Sequence, residues 1–182
     1  MNGHVPAKAP AIFFDRDGVL NTVVWRSGKA ASPRSLEEFE LEPEAPEALQ
    51  ALRAAGYRLF AVTNQPDIAR GLMSPDALGA MHARLLERLP LEAVRACEHD
   101  NADGCDCRKP KPGLILGLAH EHDLDLAGSW MVGDQDRDIA CGKGAGVQTI
   151  LLRRSYNQGD ADHVVSTLSQ AARTILGERA PS

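Results

Sequence analysis

Apolar residues along this chain fall into short continuous runs that alternate with helically spaced ones. Ala11 to Phe14 is such a run, the length of a buried strand, and it stops at Asp15, Arg16 and Asp17. Residues 21 to 34 show no period and read as an irregular polar stretch. Ser35-Leu-Glu-Glu38 has the spacing of a capping box, although Pro43 and Pro46 limit any helix there. Pro46 suits the first turn of a helix with Leu49 and Leu52 on its buried face, and Gly56 offers a left-handed stop. Tyr57 to Thr63, YRLFAVT, predicts a second strand. Ser74-Pro75 reads as N-cap and first residue of a helix bearing Leu78, Met81, Leu85 and Leu89 at helical spacing. Residues 91 to 97 predict a short strand, 98 to 113 a loop rich in Asp, Gly, Cys and Pro, and 114 to 122 a helix. SWMVG at 129 to 133 predicts a strand, 135 to 143 a short helix, and VQTILL at 147 to 152 another strand. A short strand or turn and a closing helix follow between 162 and 176. The first ten residues, MNGHVPAKAP, read as a flexible lead-in to a single domain over 11–178.

Strands alternating with helices imply an α/β architecture, doubly wound, with a mainly parallel sheet flanked by helices. In such Rossmann-like sheets ligands bind beyond the carboxyl ends of the strands. The polar clusters fall there: Asp15 and Asp17 after the first strand, Thr63 and Asn64 after the second, Asp134 after SWMVG. Arg108 and Lys109 precede a helix, so groups scattered over the sequence converge on one site in space. Composition narrows the partners of that site. With 182 residues, 43% hydrophobic and 25% charged, the chain suits one soluble globular domain. A net charge of −5 argues against nucleic acid and anionic membrane, which need a basic surface. No apolar run approaches the roughly 18 to 20 residues that span a bilayer, and the lead-in lacks the apolar core of a secretory signal. The expectation is a cytoplasmic monomer with neither nucleic acid nor membrane as partner.

Two carboxylates two residues apart, taken alone, fit a solvated turn, a metal site or a catalytic pair. Residues i and i+2 of extended chain point the same way, so Asp15 and Asp17 are expected to face a common point. Their repulsion would be relieved by a hard cation, and oxygen ligands beside a site that admits phosphate suit Mg²⁺. Asp134 supplies a third acid, and Asp138 lies one helical turn further on. One carboxylate can then attack phosphorus while the other shuttles a proton. Thr63 and Asn64 offer donors to phosphoryl oxygens, with Gln65 beside them, and Lys109 offers a fixed positive charge.

DRDGV at 15 to 19, TN at 63 to 64, RKPKPG at 108 to 113 and GDQDRD at 133 to 138 resemble the four motifs of haloacid dehalogenase-like phosphatases. The similarity spans residues 11 to 153, nearly the whole chain. It implies that Asp15 is the nucleophile that becomes an aspartyl phosphate. Asp17 would protonate the leaving oxygen and later activate water, while Thr63 and Lys109 hold the phosphoryl oxygens. Mg²⁺ would be held by Asp15, the main-chain carbonyl of Asp17, and Asp134. Asp138 would stand behind these ligands and Asp136 in solvent. No insertion is large enough for a separate cap domain.

Four cysteines remain, and three of them share one loop with a histidine: Cys97, His99, Cys105 and Cys107 form a Cys-x-His-x₅-Cys-x-Cys array. Two disulfides, or plain reduced thiols, are alternatives, but three thiolates and an imidazole make a closed tetrahedral set for structural Zn²⁺. The loop has little apolar content of its own, so zinc would replace a core. Cys141 stands apart, buried in its helix. The array running into CRKPKPG is similar to the zinc-bearing branch that includes D-glycero-D-manno-heptose 1,7-bisphosphate phosphatases and histidinol-phosphate phosphatases. TNQPDIARG at 63 to 71 looks like the former; the five-residue spacer after His99 is like the latter. The resemblance implies removal of the 7-phosphate of the heptose bisphosphate, with histidinol phosphate or another small sugar phosphate as the alternative. Residues 23 to 41 match neither closely; Trp25, Arg26 and Lys29 there, and Arg108, are candidates for substrate contact.

Overall fold

A computed structural model describes residues 8–177. Strands β1 (Ala9–Phe14), β4 (Arg58–Asn64), β5 (Ala93–Cys97), β6 (Leu124–Gly133), β7 (Gln148–Leu152) and β8 (His163–Val165) form a sheet in the order β5-β4-β1-β6-β7-β8. Every neighbouring pair in it is parallel. Strand β1 is central because its residues are apolar toward both faces, the pattern of a strand covered on two sides. Ile12 and Phe14 join one core with helices α1 (Ala45–Ala54), α2 (Pro75–Arg88) and α5 (Leu168–Ile175). Ala11 and Phe13 join a second with α3 (Gly113–His122) and α4 (Asp136–Ala145). The chain winds outward from β1 through β4 to β5, then crosses back to β6 on the other side of β1. That crossing is the topological switch, and the carboxyl ends of β1, β4 and β6 flank it.

The local signals explain most element ends. The Ser74 hydroxyl accepts from the Ala77 amide at 3.1 Å and Pro75 occupies the first turn of α2. Helix α1 begins at Ala45 with a proline in its first turn. Three differences have physical reasons. Strand β6 starts five residues before the expected 129, because Asp125 and Gly128 interrupt its apolar run while its early residues still pair with Ala9 and Pro10. For the same reason the expected lead-in is too long: Ala9 and Pro10 belong to β1, with Pro10 at a register shift where a missing N–H is tolerated. Residues 1–7 of that lead-in, and residue 178, lie outside the described residues.

The third difference matters most. The stretch from 21 to 34 is not irregular: β2 (Val24–Arg26) and β3 (Lys29–Ala31) form an antiparallel hairpin. Its two turn residues, Ser27 and Gly28, have φ of 50° and 74°, the paired left-handed conformation of a tight hairpin turn. The Ser35–Glu38 capping box starts no helix; the Glu38 carboxylate instead accepts from the Arg34 amide and pairs with Arg26. No cap domain is inserted among the described residues; the hairpin is the only regular element between β1 and α1.

Candidate active site

The site forms where β1, β4 and β6 end. The Asp15 amide donates to the Val132 carbonyl at 2.9 Å, which holds the first acid beside the last residues of β6. After Gly133 the chain turns into α4, and the Asp138 carboxylate accepts from the Asp134 and Gln135 amides at 3.2 and 3.0 Å. That cap fixes Asp134 next to Asp15. Glycine is required at 133, because a Cβ there would lie 2.2 Å from that of Asp138. The carboxylates of Asp15, Asp134 and Asp138 each bring an oxygen within 4.8 Å of the others, all buried. Lys109 reaches them from the loop before α3, with Nζ 2.7 Å from Asp15 and 2.8 Å from Asp138. Its third donor goes to the Val62 carbonyl at 2.8 Å.

Three carboxylates and one ammonium, if all ionised, leave two negative charges in a buried space, the charge that one divalent cation would balance. The strain shows in the acids. Burial, then repulsion from Asp138, pushes Asp15 up to about 8 against the pull of Lys109. Burial and Asp138 likewise push Asp134 up to about 6. The ammonium is raised as well: burial opposes its charge, but Asp138 and Asp15 outweigh burial and keep it protonated. Asp134 Oδ1 is buried with no hydrogen-bond partner among the described residues, an acceptor in place for a cation. The donor set is all oxygen, as Mg²⁺ prefers.

Asp17 does not join this cluster. The chain turns after Asp15, with the Leu20 and Asn21 amides folding back on the Arg16 carbonyl, so the extended geometry expected to align the two carboxylates ends there. The Asp17 carboxylate accepts instead from the Arg16 guanidinium at 3.0 and 3.1 Å, Asn21 Nδ2 at 3.0 Å, Ser32 Oγ at 2.7 Å and Gln65 Nε2 at 2.8 Å. Burial would raise this acid, but Arg16 and the hydrogen bonds from Asn21, Ser32 and Gln65 outweigh it and hold the group below the usual range. Arg16 is itself fully buried, and its other edge faces His82 Nε2 at 3.3 Å. Burial and the guanidinium push His82 down to about 4, so it sits neutral.

The remaining expected residues divide. Thr63 and Lys109 line a cavity of about 460 Å³ together with Asp15, Asp17 and Asp134. Arg108 and Lys29 line it too, whereas Trp25 and Arg26 do not: Arg26 is turned to the Ser32 carbonyl and Glu38. Asn64 lines the cavity, but its amide clamps the main chain of Lys109, donating to the carbonyl at 2.9 Å and accepting from the amide at 3.0 Å. Its chief work is to place Lys109. Gln65, expected at the substrate, is fully buried and donates to Asp17 and Thr63, so it supports those two from behind. Ser32, His82, Tyr156 and Asn157 are contributors that sequence reasoning missed. For Ser32 a signal existed, the Ser-Gly turn that makes the hairpin; the others lie in segments with no motif of their own.

Cys97 Sγ lies 3.6 Å from both His99 Nδ1 and Cys105 Sγ, and Cys107 Sγ lies 3.3 Å from His99 Nδ1 and 3.5 Å from Cys105 Sγ. All four cysteines are free thiols. Zn–S bonds of about 2.3 Å in a tetrahedron separate sulfurs by roughly 3.8 Å, close to these edges. The loop leaves the carboxyl end of β5 at Cys97 and returns to Lys109. Arg108 ties the return, donating to Asn101 Oδ1 at 2.7 Å and the His99 carbonyl at 3.2 Å.

Comparison with known proteins agrees with this architecture. A family model described as HAD-hydrolase-like matches residues 106–171. The D-glycero-beta-D-manno-heptose-1,7-bisphosphate 7-phosphatase of Pseudomonas aeruginosa is 35% identical over 147 residues, covering 78% of this chain and 80% of that protein. The enzyme of the same name from Pasteurella multocida is 34% identical over 184 residues, covering 92% and 97%. The crystal structure of D,D-heptose 1,7-bisphosphate phosphatase from B. bronchiseptica, complexed with magnesium and phosphate, superposes with a TM-score of 0.77 at 30% identity, covering 92% of this chain and 98% of that one.

Proposed function

The chain belongs to the haloacid dehalogenase-like hydrolases and is a phosphatase, and from that premise we propose that it removes the 7-phosphate of D-glycero-D-manno-heptose 1,7-bisphosphate through an aspartyl phosphate on Asp15. The observation that carries the chemistry is the buried set of Asp15, Asp134, Asp138 and Lys109, with two negative charges in excess when all four are ionised, at the floor of an open cavity. Asp15, Asp134 and the main chain of Asp17 would hold Mg²⁺, which when bound neutralises the phosphoryl oxygens and the acids together. Asp15 attacks phosphorus, forming an acyl phosphate as the bond to the sugar oxygen breaks. Lys109 and the Thr63 hydroxyl stabilise charge on the equatorial oxygens. Asp17 gives its proton to the leaving alkoxide, then takes one from the water that releases phosphate from Asp15.

The network around Asp17 bears on that sequence. Arg16, Asn21, Ser32 and Gln65 favour its ionised form, the form needed for the second step. In the first step it must carry a proton, so some of these donors must let go when substrate is bound. Ser32 is the natural one to move, because it sits at the end of a two-stranded hairpin on the cavity wall.

Substrate choice draws on the rim. Lys29, Arg34, Arg70, Arg108 and Arg137 surround the cavity, a setting for a substrate with a second anionic group. The five-residue spacer after His99 favours histidinol phosphate as a second reading, which carries one phosphate only. Steady-state kcat/KM across both anomers of the heptose bisphosphate, histidinol phosphate and fructose 1,6-bisphosphate tests this. A heptose bisphosphate is expected to exceed the others by about tenfold or more, the worth of roughly one well-placed charged hydrogen bond. Histidinol phosphate at the top of the panel would overturn the assignment.

We propose further that Cys97, His99, Cys105 and Cys107 bind structural Zn²⁺. With four protein ligands there is no open position for catalysis. Structural zinc is worth about 10 to 16 kcal/mol in small peptides, enough to order a loop with no core. Cys105→Ser is expected to release the metal and speed amide exchange across residues 97 to 113, with turnover falling as Lys109 loses its support. Unchanged zinc by elemental analysis would refute the site.

A further inference from the structure

We propose that Tyr156 is a positioning residue for Asp134, fixing one carboxylate oxygen so that the other faces the cation, and that Trp25 ties this grip to the β2–β3 hairpin. The inference rests on the reading of Asp134 as a cation ligand.

Tyr156 lies in the loop after β7, and that loop is fastened to both acid-bearing strand ends. Asn157 Nδ2 donates to the carbonyls of Asp134 at 2.7 Å and Leu152 at 2.8 Å. Arg154 donates to the Gly18 carbonyl at 3.1 and 2.8 Å through Nε and a terminal nitrogen. From this anchored position the Tyr156 phenol donates to Asp134 Oδ2. The other oxygen, Oδ1, is buried without a partner among the described residues. A carboxylate held by one oxygen cannot swing about its terminal torsion, so the free lone pairs of Oδ1 keep one direction. Partners of this kind that orient ligating groups govern metal affinity.

The arrangement leaves no room for a side chain at position 18. A Cβ on Gly18 would lie 2.2 Å from Asp134 Oδ2 and 2.5 Å from the Tyr156 hydroxyl, and the residue has φ of +85°. The nucleophile turn, the acid of β6 and the tyrosine therefore pack as one unit. Trp25 extends that unit to the surface. Its ring meets Tyr156 edge to face at 6.1 Å, yet it remains 58% exposed on β2. The same hairpin lines the cavity through Lys29 to Ser32 and reaches Asp17 through the Ser32 hydroxyl. One small hairpin thus touches both acids, Asp17 directly and Asp134 through two aromatic rings, and its position can be felt at the cation.

The test is Mn²⁺ binding to the full-length, zinc-replete protein without substrate, read from the electron paramagnetic resonance of free Mn²⁺. Tyr156→Phe keeps the ring and its contact with Trp25 and removes only the hydroxyl. It is expected to weaken Mn²⁺ binding about 10- to 100-fold. Trp25→Ala is expected to shift affinity in the same direction by a smaller factor. Asp134→Asn checks the premise and is expected to lose binding. If Asp134→Asn loses binding while Tyr156→Phe binds Mn²⁺ within about twofold of wild type, the role of Tyr156 is wrong and the metal site stands. Wild-type affinity in Trp25→Ala overturns the hairpin link. Wild-type affinity in Asp134→Asn overturns the premise itself.

Discussion

Asp15→Asn is expected to lower phosphate release by about 10⁴-fold or more, as loss of a nucleophile that acts as part of a unit does elsewhere. The amide keeps the size of the carboxylate and an oxygen for Lys109, but it cannot form the acyl phosphate. Stability should not fall with activity. Burial and Asp138 push the Asp15 carboxyl up to about 8, far above its value of 3.8 in an unfolded chain. A carboxylic acid whose folded pKa is raised binds its proton more tightly in the folded state, so it lowers stability progressively as pH climbs from about 4 to 8. Without added Mg²⁺, the wild-type protein should therefore lose part of its stability across that window, and Asp15→Asn should lose less. Zinc content should be unchanged, since the loop after β5 does not involve this group. Near-normal turnover in the variant would sink the aspartyl-phosphate reading; a variant that melts far below wild type at pH 7 would sink the account of Asp15 as a strained acid.

The sequence carried the frame of this site because the frame is made of strong local signals. Four of the six sheet strands are apolar runs that match no helical period, and two of them stop abruptly at an acid, β1 at Asp15 and β6 at Asp134. Once the strands are taken as parallel, their carboxyl ends must meet, and Asp15, Thr63, Lys109 and Asp134 meet with them. What the sequence hid depends on side-chain direction after a turn. Asp17 is two residues from Asp15, yet the turn at Arg16 sends its carboxylate toward Ser32 and Gln65. Asn64 and Gln65 have the groups to bind phosphate, but one clamps Lys109 and the other lies behind Asp17 and Thr63. Residue type alone cannot tell such a support from a contact. The hairpin was hidden for another reason: strands of three residues are too short to show a period, and only the Ser27-Gly28 turn marked them. Tyr156 had no mark at all, since its role exists only through the distance between two loops.

Lys109→Met should destabilise the protein by about 3 to 5 kcal/mol, the usual consequence of leaving buried charges without their partner. In a chain of this size that corresponds to a fall in Tm of roughly 6 to 20 °C. The magnitude follows from where the ammonium sits. It is 2% exposed, and its three donors go to Asp15, Asp138 and the Val62 carbonyl. Methionine matches its length and suits the apolar stem, so the loss would be that of charge rather than of packing. Without the ammonium, Asp15, Asp134 and Asp138 face one another alone, and the structure must protonate them or open. Two further measurements separate this cause from a general weakening of the loop. Adding Asp138→Asn to Lys109→Met should restore part of the lost stability, giving a non-additive pair, because the second change removes one of the charges stranded by the first. Mg²⁺ should protect the single variant as well, since a ligand that binds only the folded state stabilises it in proportion to the logarithm of its concentration. Turnover should fall by about 10² to 10³-fold, as when one fixed group that stabilises a developing charge is removed. If Lys109→Met melts within about 1 °C of wild type, or if Asp138→Asn adds its own loss in full, the three acids are not held by the lysine, and the charge imbalance that supports a divalent cation at this site would have to be explained another way.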